Sequence, residues 1–176
     1  MYKLFVDLDG VLVDFERGVK KFTGQGPKEY KSVGQMWREV SKVPDFYNRL
    51  DWMPDGKYLW DSVEPFYPII LTGIPFGNIP WAEQKRKWCN MHLGKHIPLI
   101  IKHPRETKLQ AAENAFHLPQ FSDESIQHII ENKWILIDDD TKHAPDWTNN
   151  GGIFIHHTKV LDTITELADI LEQDKD

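Results

Sequence analysis

Asp7 and Asp9 stand on either side of Leu8, directly behind the apolar run Leu4-Phe5-Val6 and ahead of Gly10. Asp138-Asp139-Asp140 likewise follows an apolar run, residues 134–137, and Thr72-Gly73 closes another at Ile70-Leu71. Burying several negative charges together is costly unless a cation shares the site. Magnesium suits such a group, because it prefers hard oxygen ligands and pairs with substrate phosphate. A metal-held carboxylate accepts hydrogen bonds only and is fixed in position, so it can attack phosphorus and form an aspartyl-phosphate. A carboxyl two residues further on can protonate the leaving oxygen and then activate the hydrolytic water. Gly10 allows a sharp turn and a close approach of backbone to substrate. Each stretch also has a plainer reading. Asp-Gly is a common turn dipeptide, and three aspartates in a row can open a solvated loop.

These groups act together only if the chain gathers them. Short apolar runs at 4–6, 69–71, 99–101, 135–137 and 153–155 read as buried strands, the last after the turn signal Asn149-Asn150-Gly151-Gly152. Helical patterns at 14–22, 81–93, 106–116 and 123–132 alternate with them, and 163–172 closes the chain as an amphipathic helix. Strands alternating with helices predict an α/β fold with a parallel sheet covered on both sides. In such sheets ligands bind at the carboxyl ends of the strands, where Asp7, Thr72 and Asp138 would converge. The interval 14–65 contains no strand pattern and reads as a helical insertion over the sheet edge, with Phe46, Tyr47 and Trp52 supplying its aromatic inner surface.

At 176 residues the chain has room for one domain and a modest insertion. A 40% hydrophobic fraction and 7 tryptophans argue against disorder. Apolar runs fall short of the roughly 20 residues of a membrane span, and the immediate strand pattern leaves no space for a signal peptide. The single cysteine, Cys89, excludes an intramolecular disulfide and a multi-cysteine zinc site, which fits a reducing, cytoplasmic location. A net charge of −6 disfavours a polynucleotide partner but allows a small anionic substrate.

Phe5-Val6-Asp7-Leu8-Asp9-Gly10-Val11, Ile70-Leu71-Thr72-Gly73, a downstream lysine and Leu136-Ile137-Asp138-Asp139 resemble the four motifs of the haloacid dehalogenase (HAD) superfamily in order and in strand placement. The resemblance implies a Rossmann-like HAD core, residues 1–13 and 66–176, carrying a helical cap at 14–65. It implies Asp7 as nucleophile, Asp9 as general acid/base and Thr72 as a donor to phosphate. It also implies Mg2+ held by Asp7, the backbone carbonyl of Asp9 and Asp138, with Asp139 in support.

A narrower likeness is carried by Val11-Leu12-Val13-Asp14-Phe15-Glu16, Asp45-Phe46-Tyr47, Met53-Pro54-Asp55-Gly56 and Gln84-Lys85-Arg86-Lys87-Trp88, which look like the 5'(3')-deoxyribonucleotidase branch of 5'-nucleotidases. That branch implies a nucleoside monophosphate substrate, Lys85 holding phosphate, and Phe15, Phe46 and Tyr47 packing on the base; relatives of this kind can form homodimers. Two departures stand out. Gly73 occupies the place of a usual serine, leaving only its amide to donate, and the third-motif lysine is displaced by a longer loop. Lys108, opening a helix just after a strand, suits phosphate contact, with Lys102 at the strand's end as its rival. Sugar phosphates, nucleic-acid 3'-phosphates and a catalytically silent binding module are the competing functions.

Plainer roles are expected elsewhere. Lys85, within the basic cluster Lys85-Arg86-Lys87, reads by itself as a solvated charge. Phe46, Tyr47 and Trp52 read as packing of the insertion. His156 and His157 read as surface residues, His143 as a loop residue and Cys89 as helix packing.

Overall fold

The computed structural model describes residues 2–77, 79–119 and 122–173, so residues 1, 78, 120, 121 and 174–176 of the expected core lie outside the described residues. Every expected strand forms: β1 (Lys3–Val6), β2 (Ile69–Gly73), β3 (Leu99–Lys102), β4 (Trp134–Asp138) and β5 (Ile153–His156). They pair in parallel in the order β3-β2-β1-β4-β5.

The unbroken apolar runs follow from burial of both sheet faces. Leu4, Val6, Ile70, Ile135 and Ile137 belong to one core, while Phe5, Leu71, Trp134 and Leu136 belong to the other. Alternation along each strand sends neighbours to opposite cores. The helices are α1 (Phe15–Thr23), α2 (Val33–Val40), α3 (Gly56–Val63), α4 (Trp81–His92), α5 (Lys108–Ala115), α6 (Asp123–Asn132), α7 (Ala144–Asn149) and α8 (Val160–Glu172). Leu59 and Trp60 of α3, Trp88 of α4 and Leu167 of α8 fill the first core. Leu109 and Ala112 of α5, Ile129 of α6 and Trp147 of α7 fill the second. Helices α2, α3 and α7 come in addition to the helical patterns named from the sequence; at 8, 8 and 6 residues they are too short to impose a helical period.

The interval 14–65 is helical, with 3-10 turns at Pro27–Glu29, Tyr47–Arg49 and Glu64–Phe66, and extended pairing reduced to isolated bridges at its edges. Helix α1 starts where the Asp14 side chain accepts the Arg17 N–H at 3.0 Å and stops at Gly24, whose φ is 84°. Helix α3, at the end of this interval, packs against α8. No described helix is long and apolar enough to cross a membrane.

One consequence of the strand order positions the chemistry. The chain leaves β1 outward through β2 and β3, then crosses back to β4 on the other side of β1. The reversal opens a crevice beyond the carboxyl ends of β1 and β4, the place where open α/β sheets bind ligands. The Asp7 N–H donates to the Ile137 carbonyl at 3.0 Å, extending the ladder by one residue. Asp7 and Asp138 are thereby set side by side.

Candidate active site

Asp7, Asp138 and Asp139 each offer a carboxylate oxygen within 4.8 Å of the others. Asp7 and Asp138 are buried, while Asp139 lies at the surface. Lys108 enters from the second core. It is the first residue of α5, fixed there because Thr107 accepts the Gln110 N–H at 3.1 Å while the Gln110 side chain accepts the Thr107 N–H at 2.9 Å. Its Nζ donates to Asp138 Oδ2 at 2.6 Å and stands 3.0 Å from Asp7 Oδ1 as an ion pair off the line of a hydrogen bond. Asp138 Oδ1 accepts the Asp140 N–H at 2.9 Å.

The charges in this group are unevenly balanced. Burial pushes the Asp7 carboxyl up, but Lys108 and then Lys85 bring it below its ordinary value. Burial and repulsion from Asp7 push Asp138 up to about 6; Asp139, an exposed residue whose carboxyl folds in over Gly10, is pushed up to about 7 by the water its carboxyl loses there and by repulsion from Asp7 and Asp138. Lys108 loses to burial and regains more from Asp7 and Asp138, so it stays charged. One buried lysine among three carboxylates leaves negative charge over, and Asp7 Oδ1, beside its ion pair with Lys108, is buried with no hydrogen-bond partner among the described residues. The donor set is all carboxylate oxygen, so it fits a hard divalent cation.

Gly10 has a φ of 79°, and a Cβ there would fall 2.2 Å from Asp139 Oδ2. Glycine therefore serves two needs, the left-handed turn after Asp9 and space for the Asp139 carboxylate.

A second buried lysine holds Asp9. Lys85 Nζ donates to Asp9 Oδ2 at 2.7 Å and to Thr72 Oγ1 at 2.8 Å. The Tyr47 hydroxyl donates to the same Asp9 oxygen at 3.1 Å. Burial first, then repulsion from Asp7, lifts the Asp9 carboxyl above its ordinary value despite the opposing pull of Lys85. Burial and the nearby Asp9 carboxylate hold the Tyr47 phenol well above its own.

A cavity of about 340 Å³ opens over Asp7 and Asp9, lined also by Gly73, Lys108, Asp139, Trp37 and Tyr47. Lys102, Lys142 and His143 also line it. Lys102 donates to the His103 carbonyl at 3.0 Å and stays partly exposed, in contrast to Lys108. Burial and the charges of Lys108 and Lys142 push His143 down to about 4, so its ring is neutral at physiological pH.

Several expectations require correction. Lys85 is not solvated. It is 0% exposed and sits beneath the cavity on Asp9 and Thr72 instead of lining it, because α4 turns Trp81, Lys85 and Trp88 toward the core. Thr72 is likewise fully buried. Phe46 is 0% exposed, packed against Phe22, Tyr47 and Phe15, so it cannot touch a base. Phe15 borders a neighbouring cavity with Met53 and Gly10, not the one over Asp7. His157 is buried on Thr163 at 2.9 Å, and His143 is a wall residue, not a plain loop residue. Trp37, absent from the sequence-based candidates, lines the cavity from α2 beside Phe15 and Trp81. Cys89 is buried in helix packing, its thiol pushed up to about 12 by burial.

With this geometry the chain can be set beside known proteins. No family model matches it, and neither does any curated protein sequence. Among solved structures, a hydrolase from Streptococcus pneumoniae TIGR4 aligns over 97% of this chain and 98% of its own, with a TM-score of 0.52 and 11% identity. A hydrolase from Pseudomonas syringae aligns over 97% and 99%, at 0.46 and 12%. The chain shares the fold of the Streptococcus hydrolase. It is the parallel α/β architecture that the HAD resemblance implies, here with five strands flanked by helices.

Proposed function

We propose that this protein is a magnesium-dependent phosphomonoesterase of the HAD type that works through an aspartyl-phosphate on Asp7. The observation that carries the reading is the meeting of Asp7, Asp138 and Asp139 at the β1/β4 reversal, with Lys108 wedged between Asp7 and Asp138. Asp7, Asp138 and the Asp9 carbonyl would hold the cation, with Asp139 beside them. Bound there, magnesium supplies charge neutralisation for the phosphoryl group and the carboxylates.

An Asp7 carboxylate oxygen attacks phosphorus, and the bond to the ester oxygen breaks. Asp9, whose carboxyl is raised, gives its proton to that oxygen, and the alcohol leaves. Water then attacks the phosphorus of the aspartyl-phosphate, Asp9 takes its proton, and the phosphorus–Asp7 bond breaks to release inorganic phosphate. Lys108 stays paired with the changing charge on Asp7. The Gly73 backbone borders the cavity where phosphate would lie, and Thr72, beneath it, can turn its own hydroxyl hydrogen outward because Oγ1 already accepts from Lys85.

For the substrate we propose a nucleoside monophosphate. Supporting this is Trp37, a partly exposed aromatic residue that lines the cavity from the helical insertion. A phosphate-release screen over nucleoside monophosphates and sugar phosphates, with magnesium and with EDTA, tests both parts. Magnesium-dependent release led by nucleotides is expected. Sugar phosphates far ahead of every nucleotide would overturn the substrate class, and undiminished release in EDTA would overturn the magnesium chemistry.

A further inference from the structure

Among the described residues three lysines line the cavity, and two of them already face carboxylates. Lys108 pairs with Asp7 and Asp138, and Lys142 pairs with Asp140. Lys102 makes no ion pair among the described residues; its Nζ donates to a neutral group, the His103 carbonyl, at 3.0 Å. We propose that Lys102 is a phosphate-binding residue that grips the substrate phosphoryl group from the β3 side of the cavity. This rests on the reading of the cavity as a phosphomonoesterase site.

The backbone brings the residue to that place. Lys102 ends β3, and the parallel register sets it beside Gly73, the last residue of β2. The Ile74 N–H donates to the Lys102 carbonyl at 3.1 Å and carries the ladder past the strand end. Gly73 presents no side chain, and the Lys102 stem lies beside it: a Cβ on Gly73 would stand 3.7 Å from Lys102 Cδ. Both residues border the same cavity. Strand order puts Asp7 and Asp138 on the β1/β4 side and Lys102 across β2 from them. A phosphoryl group over Asp7 would have the carboxylate cluster on one flank and Lys102 on the other.

The charge of Lys102 is poorly compensated by the protein itself. Burial, then the charge of Lys142, brings its ammonium below its ordinary value against a weaker pull from Glu106. Such a cation has much to gain from an arriving anion. Only one of its three hydrogens goes to His103, and the flexible stem lets the head turn to a phosphate oxygen. Lys108 offers less, because Asp7 and Asp138 share its charge.

The test compares wild type, Lys102→Met and Lys102→Arg in saturating magnesium. Inorganic phosphate is titrated by calorimetry, and kcat/KM is measured on p-nitrophenyl phosphate and on a nucleoside monophosphate. Loss of one charge-assisted contact in Lys102→Met is expected to weaken phosphate binding about tenfold. The esters have the phosphoryl group in common, so kcat/KM is expected to fall by a similar factor on both. Lys102→Arg keeps the charge and is expected to stay within about threefold of wild type. The melting midpoint of Lys102→Met in EDTA is expected to match wild type, because no ion pair is broken, and this shows that the variant folds. Phosphate binding by Lys102→Met within about twofold of wild type, or a kcat/KM loss confined to the nucleotide, would overturn the role of Lys102 alone. A clearly lowered midpoint would do the same by making the lysine a part of the fold. Failure of wild type to bind phosphate and to turn over either ester would overturn the phosphatase reading and this inference with it.

Discussion

Lys108→Met removes the cation that touches both Asp7 and Asp138 while keeping a stem of similar length. The lysine is 3% exposed and its Nζ lies 3.0 Å and 2.6 Å from the two carboxylates. Breaking a buried ion pair by deleting one partner costs roughly 3–5 kcal/mol, because the other charge stays buried and unpaired. A domain of this length loses about 2–4 °C of melting temperature per kcal/mol, so the midpoint in EDTA should drop by roughly 6–20 °C. The size of the loss depends on pH in a definite direction. Burial and mutual repulsion already raise Asp138 to about 6 and Asp139 to about 7. Without Lys108, the Asp138 carboxyl is pushed higher still, and Asp7 loses the main charge that holds it below its ordinary value. A carboxyl raised above its unfolded value contributes stability that is present at low pH and is lost as pH rises through the raised value. The deficit of Lys108→Met is therefore small near about pH 5 and large near about pH 8. Saturating magnesium should recover part of it by supplying the missing positive charge. Thermal denaturation followed by circular dichroism, across that pH range with EDTA and then with magnesium, measures each element. A deficit that shrinks as pH rises, or a midpoint equal to wild type throughout, would refute the reasoning.

Phe46→Ala empties a fully buried ring site and should cost roughly 3–5 kcal/mol in urea denaturation; wild-type stability would contradict its place in the core. Gly10→Ala strains a backbone at φ 79° by about 1–2 kcal/mol and forces the Asp139 carboxylate to move. Its half-saturating magnesium concentration for activity should rise by more than about fivefold, given one displaced carboxylate; an unchanged magnesium titration would count against Asp139 as support for the cation. Trp37→Ala should raise KM for nucleoside monophosphates and leave KM for a ring-free phosphate ester unchanged. Equal KM changes for both substrates would remove Trp37 from base recognition.

The parts of this molecule legible in the sequence share a physical origin. Strands buried on both faces must be unbroken apolar runs, and Val6, Ile137 and Leu71 each sit one residue ahead of the polar group they deliver. Parallel order and the reversal beside β1 then bring Asp7 and Asp138 together without any contact being read from the sequence. What escaped was the orientation of side chains on helices. Lys85 looked like one of three surface cations in Lys85-Arg86-Lys87, yet it falls at the fourth position between Trp81 and Trp88, on the buried stripe of α4. That spacing was a usable signal. No such signal distinguished Phe46 from Trp37. Both are aromatics of the insertion, and only the packing of α2 against α1 and α4 decides that Trp37 reaches the cavity while Phe46 does not. His157 was missed for a related reason: α8 begins at Val160, earlier than its apolar period, and brings Thr163 over the imidazole.

The central claim is that phosphorus is transferred to Asp7. Acid quenching during turnover, reduction with borohydride and peptide mass spectrometry read this directly, because an acyl phosphate is reduced to an alcohol whereas a free carboxylate is not. The account predicts reduction confined to Asp7, dependent on both substrate and magnesium, and absent in Asp7→Asn, which should also be inactive. Reduction at another carboxyl, or sustained turnover by Asp7→Asn, would contradict it.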